Sequence, residues 1–134
     1  MNVPSLLRLA ALGCALALAP LAHAANQTRP VQFANGASSA TLKGTVKGGH
    51  YVDYTLRAAA GQTMKVDMTS QLAYFNVLPP GSKDVAIYNS SVNGNSWSGT
   101  LEQAGAYTLR VYLMRNEARR GTAAPYTLTV GIVD

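Results

Sequence analysis

The chain has 134 residues, of which 48% are hydrophobic and only 13% are charged, and its formal net charge at pH 7 is +5. This length corresponds to one ordinary domain, and a mild positive charge favours acidic partners in general. The chain lacks the dense Lys/Arg stripe and the aromatic ladder that are typical of nucleic-acid-binding proteins, so no nucleic-acid partner is predicted.

The first 24 residues have the organisation of a secretory signal peptide. Arg8 precedes an apolar run at 9–21, and "AHA" at 22–24 has the small residues of a cleavage site. The apolar run is shorter than the roughly 20 residues that a membrane-spanning helix needs, so no membrane span is predicted. We expect residues 1–24 to be removed on export, which leaves a single domain at 25–134.

The only cysteine, Cys14, lies inside this apolar run. Its surroundings, "ALGC" at 11–14, loosely resemble a lipoprotein cleavage box, so lipid attachment is an alternative to cleavage after Ala24. Cleavage after Ala24 removes 24 of the 134 residues and leaves 110 without a cysteine. In an oxidising compartment such a domain relies on its hydrophobic core rather than on disulfides.

Alternating apolar and polar residues predict β-strands throughout the rest of the chain. Strong strands are expected at 51–58, 63–69, 106–114 and 125–133, and weaker ones at 40–46, 72–78, 85–88 and 97–101, with a further short strand around 31–33. No helical periodicity is visible between them. About eight short strands, each with one apolar face, predict an all-β fold, a small antiparallel β-sandwich.

The connections between these strands can be assigned to the two ends of the sandwich, because successive antiparallel strands alternate in direction. This alternation places the loops at 70–71, 89–96 and 115–124 at the same end as the Lys47–Gly49 turn. The turn that contains Gly105 falls at the opposite end, about 30 Å away along nine strand residues.

Residues that support catalysis or metal binding are sparse after residue 24. His50 is the only histidine there and lies beside a Gly-Gly turn, where a plain surface histidine is the usual finding. Asp53 falls on the opposite face of the same predicted strand, which is poor geometry for a Ser-His-Asp arrangement. The acidic residues are scattered over several elements, unlike a glycosidase pair or a metal site. No catalytic residue, metal or cofactor is assigned, and the chain is not predicted to be an enzyme.

The stretch "RNEARR" at 115–120 concentrates three arginines and one glutamate after a predicted strand. If it forms a helical turn, Arg115 and Arg119 project from one side because they are four residues apart. Two guanidinium groups placed in this way can bind carboxylates bidentately. Glu117 falls on another side of the turn, where it can hold Arg120 or a loop amide. A solvated hairpin loop without a partner explains the same charges, so both interpretations stay open.

The run "AGAYTLRVYLMRNEARRGTAAPYTLTVGI" at 104–132 resembles the C-terminal part of bacterial periplasmic inhibitors of goose-type lysozyme, the PliG family. "SSATLKGTVKG" at 38–48 and a Tyr-rich strand that starts near Tyr51 fit the same family, and "RNEAR" is the most specific element. The resemblance implies a periplasmic β-sandwich that binds goose-type lysozyme as its partner and thereby protects peptidoglycan. It also implies that the arginine loop enters the lysozyme cleft beside the acidic catalytic groups.

Site residues can be carried over from this family by position. The lysozyme-binding loop is then Arg115, Asn116, Glu117 and Arg119, with supporting contacts from Gly49, His50, Tyr51 and Arg120. The family has a tyrosine in the first hairpin turn and Ser-Gly where this chain has Ala104-Gly105. An aromatic contact therefore falls to His50 or Tyr51, and any hydroxyl role at position 104 is lost. The sequence leaves a homodimer open.

Two stretches, "AAAGQTMKVDM" at 58–68 and "QAGAYTLRVY" at 103–112, also resemble bacterial pre-peptidase C-terminal domains, small sandwiches attached to secreted enzymes. They provide an alternative function, a secreted glycan- or polymer-binding module. In that function Trp97, beside an Asn-rich loop, would stack on a sugar ring. The same tryptophan can instead close the edge of the sandwich.

Overall fold

The computed structural model describes residues 25–134, so the predicted signal peptide and Cys14 lie outside the described residues. Within that range nine strands and two one-turn helices follow one another along the chain. They are β1 (Gln27–Pro30), β2 (Ser39–Lys47), β3 (Val52–Ala58), β4 (Thr63–Thr69), β5 (Ala73–Leu78), β6 (Tyr88–Asn89), α1 (Ser90–Asn93), β7 (Ser96–Thr100), β8 (Gly105–Leu113), α2 (Arg115–Arg119) and β9 (Ala123–Val133). No helix in this part of the chain is long and apolar enough to cross a membrane.

The strands form two sheets that pack face to face. One sheet has the strand order β1-β3-β8-β5-β6, and the other has the order β2-β9-β4-β7. Neighbouring strands are antiparallel, except that β1 runs parallel to β3. The predicted all-β antiparallel sandwich is therefore confirmed.

Two of the weak strand predictions are wrong in position. The strand expected around 31–33 is instead β1, which carries little apolar alternation because most of its side chains are exposed. The strand expected at 85–88 is reduced to Tyr88–Asn89. Val85 and Ile87 are 71% and 50% exposed, so their alternation does not mark a buried face. The helices α1 and α2 were not visible as periodicity, because a single turn is too short to repeat an apolar position.

The core is built from the inward rows of both sheets. Val66, Phe75, Leu109 and Leu128 are among its fully buried side chains, and each comes from a different strand. Burial of apolar area at about 25 cal/mol per Å² is the main source of stability in such a domain.

A pair of tyrosine hydroxyls joins the two sheets inside this core. Tyr54 in β3 and Tyr126 in β9 are buried, and their hydroxyl oxygens lie 2.7 Å apart. Gly44 makes room for the contact, because it pairs with Tyr126 across β2 and β9, and a Cβ atom there would lie 2.6 Å from Tyr126 Oη. Burial, and secondarily the hydrogen bond to Tyr54, raises the pKa of Tyr126 above its ordinary value. The folded state therefore holds this hydroxyl in its protonated form.

The loops collect at two ends, as strand alternation predicts. Lys47 pairs with Ala123 and Ala73 pairs with Leu113, which brings the β2–β3, β4–β5 and β8–β9 connections to one end. We call this the upper end. Gly105 pairs with Ala58 at the lower end.

Removing one hydroxyl of the tyrosine pair should leave the other buried without a partner. We expect Tyr54→Phe and Tyr126→Phe each to lower the free energy of unfolding by about 1–2 kcal/mol. The double variant should lose less than the sum of the two single losses, because no unpaired hydroxyl remains. Chemical denaturation at pH 7 measures all three variants, and strictly additive losses would contradict this account.

The raised pKa of Tyr126 also predicts a loss of stability at high pH. An unfolded tyrosine ionises at about pH 10, whereas the buried one resists ionisation, so its contribution is complete below that pH and is lost as the pH rises further. The free energy of unfolding of the wild type should fall more steeply above about pH 10 than that of Tyr126→Phe. Parallel pH curves for the two proteins would show that Tyr126 is not responsible.

Candidate functional site

The arginine loop forms the one-turn helix α2 between β8 and β9, the conformation on which the placement of Arg115 and Arg119 on one side depended. Ala118 N donates to Met114 O at 2.9 Å and Gly121 N donates to Ala118 O at 3.1 Å. Glu117 is half-buried, and its Oε1 accepts a hydrogen bond of 2.7 Å from Thr122 Oγ1. The main chain repeats this link, since Thr122 N donates to Glu117 O at 3.2 Å. The loop is therefore closed by its own contacts.

Glu117 also faces Arg120, one of the two partners that the sequence analysis left open for it. Its Oε2 lies 3.6 Å from Arg120 Nη1, in an ion pair whose arginine is largely exposed. Such a pair contributes little free energy, because water screens it. The negative charge of the loop is therefore engaged within the loop, mainly by the Thr122 hydroxyl.

Arg115, Asn116 and Arg119 are exposed at the upper end. Within residues 25–134, neither Arg115 nor Arg119 takes part in an ion pair. Because they are four residues apart on one helical turn, their side chains lie on the same side of α2. The loop therefore exposes two guanidinium groups that are not in an ion pair within the described residues.

The turn after β2 supports this loop from one side. Gly48 N donates to Thr122 O at 2.8 Å, and Gly48 adopts a φ of +59° that favours glycine. A Cβ atom at Gly48 would lie 3.7 Å from Ala118 O, so the turn packs closely under α2. The predicted supporting residues Gly49 and His50 are exposed beside it.

A cleft of about 430 Å³ lies between this turn and the start of the described chain. Its lining includes Gln27 and Lys47, the predicted supporting residues His50 and Tyr51, and Gly121 from the arginine loop. The structure therefore brings the predicted loop and most of its predicted supporting residues to one place.

Tyr51 is half-buried and held by an arginine that the sequence analysis missed. Arg110 Cζ lies 3.9 Å from the centroid of the Tyr51 ring. The same guanidinium binds Asp53 bidentately, through Nε–Oδ1 at 2.8 Å and Nη2–Oδ2 at 3.0 Å. The hydrogen bond to Asp53 raises the pKa of Arg110, which therefore stays charged. In the sequence, Asp53 and Arg110 both fall on the outward rows of their predicted strands. Their contact depends in addition on the register of β3 against β8, which pairs the two residues.

The Asn-rich loop at 89–96 reaches the upper end, where hydrogen bonds attach it to neighbouring strands. Asn89 Oδ1 accepts hydrogen bonds from Ser91 N at 3.0 Å and from Tyr112 Oη at 3.1 Å. Ser90 Oγ accepts one from Phe75 N at 2.7 Å. These contacts attach α1 to β5 and β8.

Trp97 closes the edge of the sandwich. Its ring stacks on Tyr88 with centroids 5.4 Å apart and an interplanar angle of 25°. The indole also covers Gly99 in its own strand, where a Cβ atom would overlap the ring. Tyr88 and Gly99 thus occupy part of the indole surface within the molecule.

Residues 25–134 contain no group of three or more His, Cys, Asp or Glu side chains that could hold a metal ion.

The fold and the candidate site define a class of protein, a small β-sandwich with an exposed, internally hydrogen-bonded basic loop at one end. A relative from Escherichia coli (strain K12), described as an inhibitor of g-type lysozyme, is 33% identical over 118 residues, which cover 86% of this chain and 88% of that relative. Aeromonas hydrophila PliG, a periplasmic lysozyme inhibitor of g-type lysozyme, has a crystal structure that matches with a TM-score of 0.75 and 45% identity, over 81% of this chain and 99% of that one. The chain belongs to this family of inhibitors of g-type lysozyme, PliG.

Family membership confirms the predicted resemblance and the prediction that the chain is not an enzyme. No protein-family model matches the chain. The pre-peptidase C-terminal domain of a Bacillus anthracis collagenase also matches, with a TM-score of 0.55 and 19% identity over 82% of this chain and 99% of that one. At this identity the second likeness shows a shared fold alone.

The Glu117–Thr122 contact can be tested with one substitution that removes the hydroxyl and one that keeps it. Thr122→Val removes the donor and keeps the shape, whereas Thr122→Ser keeps the donor. We expect Thr122→Val to lower the free energy of unfolding by about 1 kcal/mol and to speed amide hydrogen exchange in 115–122. Thr122→Ser should leave the exchange close to that of the wild type. Equal exchange in both variants would show that the hydroxyl does not order the loop.

Proposed function

We propose that this chain is a periplasmic inhibitor of g-type lysozyme that occludes the substrate cleft with α2. Export would remove residues 1–24 and leave 25–134 as the inhibitory domain. The observation that carries the proposal is the pair Arg115 and Arg119, exposed on one side of a helical turn and unpaired among the described residues. The family to which the chain belongs supports the identity of the partner.

The chemistry of the partner explains why two guanidinium groups are suitable. Enzymes that hydrolyse glycosidic bonds carry carboxyl groups beside the bond that is cut. A guanidinium group binds a carboxylate through two parallel charge-assisted hydrogen bonds, which are stronger than neutral ones. Arg115 and Arg119 entering the cleft would engage these carboxylates and exclude the glycan strand at the same time.

The other loop residues prepare these arginines for binding. Glu117 would repel the carboxylates of a lysozyme if it were free, but its oxygens face Thr122 and Arg120. Asn116 is exposed between the two arginines and can offer an amide to the cleft. Because α2 is closed by contacts within the chain, less conformational entropy is lost on binding than for a flexible loop.

Removal of either guanidinium should weaken inhibition while the fold survives. Arg115→Ala and Arg119→Ala should each cost about 2–4 kcal/mol of binding free energy, the range of an interface hot spot. The matched control is Arg57→Ala, because Arg57 is also an exposed arginine but pairs with Ala106 towards the lower end. Inhibition of a goose-type lysozyme measures the effect, and circular dichroism checks the fold. Wild-type inhibition by both loop variants would place the site elsewhere.

The type of lysozyme inhibited tests the partner itself. The purified mature protein should inhibit a goose-type lysozyme and leave a chicken-type lysozyme active, because selectivity depends on the contacts around the carboxylates as well as on the carboxylates themselves. A titration of both enzymes with the same preparation measures this selectivity. Equal inhibition of both enzymes, or of neither, is incompatible with the proposal.

The glycan-binding alternative has less support, because the Trp97 ring is engaged by Tyr88 and Gly99. It makes a different prediction for a peptidoglycan pull-down. In that case Trp97→Ala would abolish retention and Arg115→Ala would have no effect.

A further inference from the structure

An apolar and aromatic surface continues from the arginine loop onto the neighbouring strands. Tyr74 in β5 lies directly opposite Tyr112 in β8, and their ring centroids are 6.3 Å apart. The last pair of these strands at the upper end is Ala73 with Leu113. In the chain, Leu72 directly precedes Ala73, and Met114 directly follows Leu113. We call Leu72, Tyr74, Tyr112 and Met114 the rim patch.

Met114 keeps the alternation of β8 although the strand ends one residue earlier. Its backbone is extended, with φ −64° and ψ 159°. Leu113 is buried, so the Met114 side chain falls on the same outward row as Tyr112. The rim patch therefore reaches the residue that directly precedes Arg115.

The two non-aromatic members of the rim patch are exposed to solvent. Leu72 and Met114 are 38% and 43% exposed, although neither lies in a chain terminus. Met114 also occupies the N-cap position of α2 without a side-chain hydrogen bond to the helix. Polar residues such as Ser or Asp stabilise that position, typically by about 1 kcal/mol. A methionine at the N-cap thus forgoes local stability and leaves an apolar side chain at the surface.

The size of a stable interface requires contacts beyond α2. Specific protein complexes bury about 800 Å² on each partner, from about 20–30 residues a side. The five residues of α2 cannot supply that surface. On one flank of the loop lie the glycine turn and the exposed His50, and on the other lies the rim patch. Tyrosine, methionine and arginine are enriched in interfaces, so the second flank has the composition of a contact surface.

We propose that the rim patch is a second contact surface for the same lysozyme molecule, binding an apolar segment at the edge of its cleft while the arginines enter. This inference rests on the proposed function. Continuity along the chain from Met114 to Arg115 is the reason for assigning one partner to both. The patch is also preformed, because Tyr112 Oη is held by Asn89 Oδ1 at 3.1 Å.

The test compares two double variants that each remove an exposed apolar pair. Leu72→Ala/Met114→Ala alters the rim patch, whereas Val85→Ala/Ile87→Ala alters exposed residues in the β5–β6 connection, at the lower end. We expect the first variant to raise the Kd for goose-type lysozyme at least tenfold, by the same factor at low and high salt, because the contact is apolar. The second should bind like the wild type. Melting temperatures of both variants should stay close to that of the wild type.

Each other outcome has a distinct meaning. If Leu72→Ala/Met114→Ala binds normally while Arg115→Ala is impaired, the rim patch inference is wrong and the proposed function stands. If the wild-type protein binds no lysozyme, both are wrong. If sedimentation shows that the free protein is a dimer that Leu72→Ala/Met114→Ala dissociates, the patch joins two copies of this chain, and its assignment to lysozyme is overturned.

Discussion

Contact between the apolar rows of two sheets is the interaction on which the rest of this protein depends. The described chain contains no cysteine, so burial of these rows holds the domain together. The hydroxyl pair of Tyr54 and Tyr126 adds a polar link that fixes how the sheets face each other, and Gly44 provides its space. A buried hydrogen bond of this kind selects one packing, because any shift leaves two hydroxyls unsatisfied.

The same two-sheet arrangement also builds the candidate site. At the upper end the β2–β3, β4–β5 and β8–β9 connections each pass from one sheet to the other across the top of the core. Segments far apart in the chain are therefore forced together, and Gly48 bonds to Thr122 as a result. The helix α2 is the crossing between β8 and β9, which explains why it stands above the sandwich and is closed by its own contacts.

The arginines of the domain differ in whether their charge is engaged within the fold. Arg110 is paired with Asp53, stacks on Tyr51 and serves the sheet surface. Arg115 and Arg119 have exposed side chains and no ion pair in residues 25–134. An arginine in an ion pair within the protein helps to fix the fold, whereas an arginine that is exposed to solvent stays available to a partner.

The sequence by itself determined the class of fold, the four strong strands and the end at which each loop lies. These features follow from the two-residue period of strands and the alternating direction of successive strands, which are local properties. That 115–119 forms a helical turn was only one of the possibilities that the sequence left open. Only the tertiary structure decided that Val85 and Ile87 remain exposed, that Trp97 packs on Tyr88, and that Tyr74 lies opposite Tyr112. It also decided that Asp53 holds Arg110 across a separation of 57 residues. Those contacts depend on which strands become neighbours and in which register, and hydrophobic periodicity within a strand carries no information about its partner.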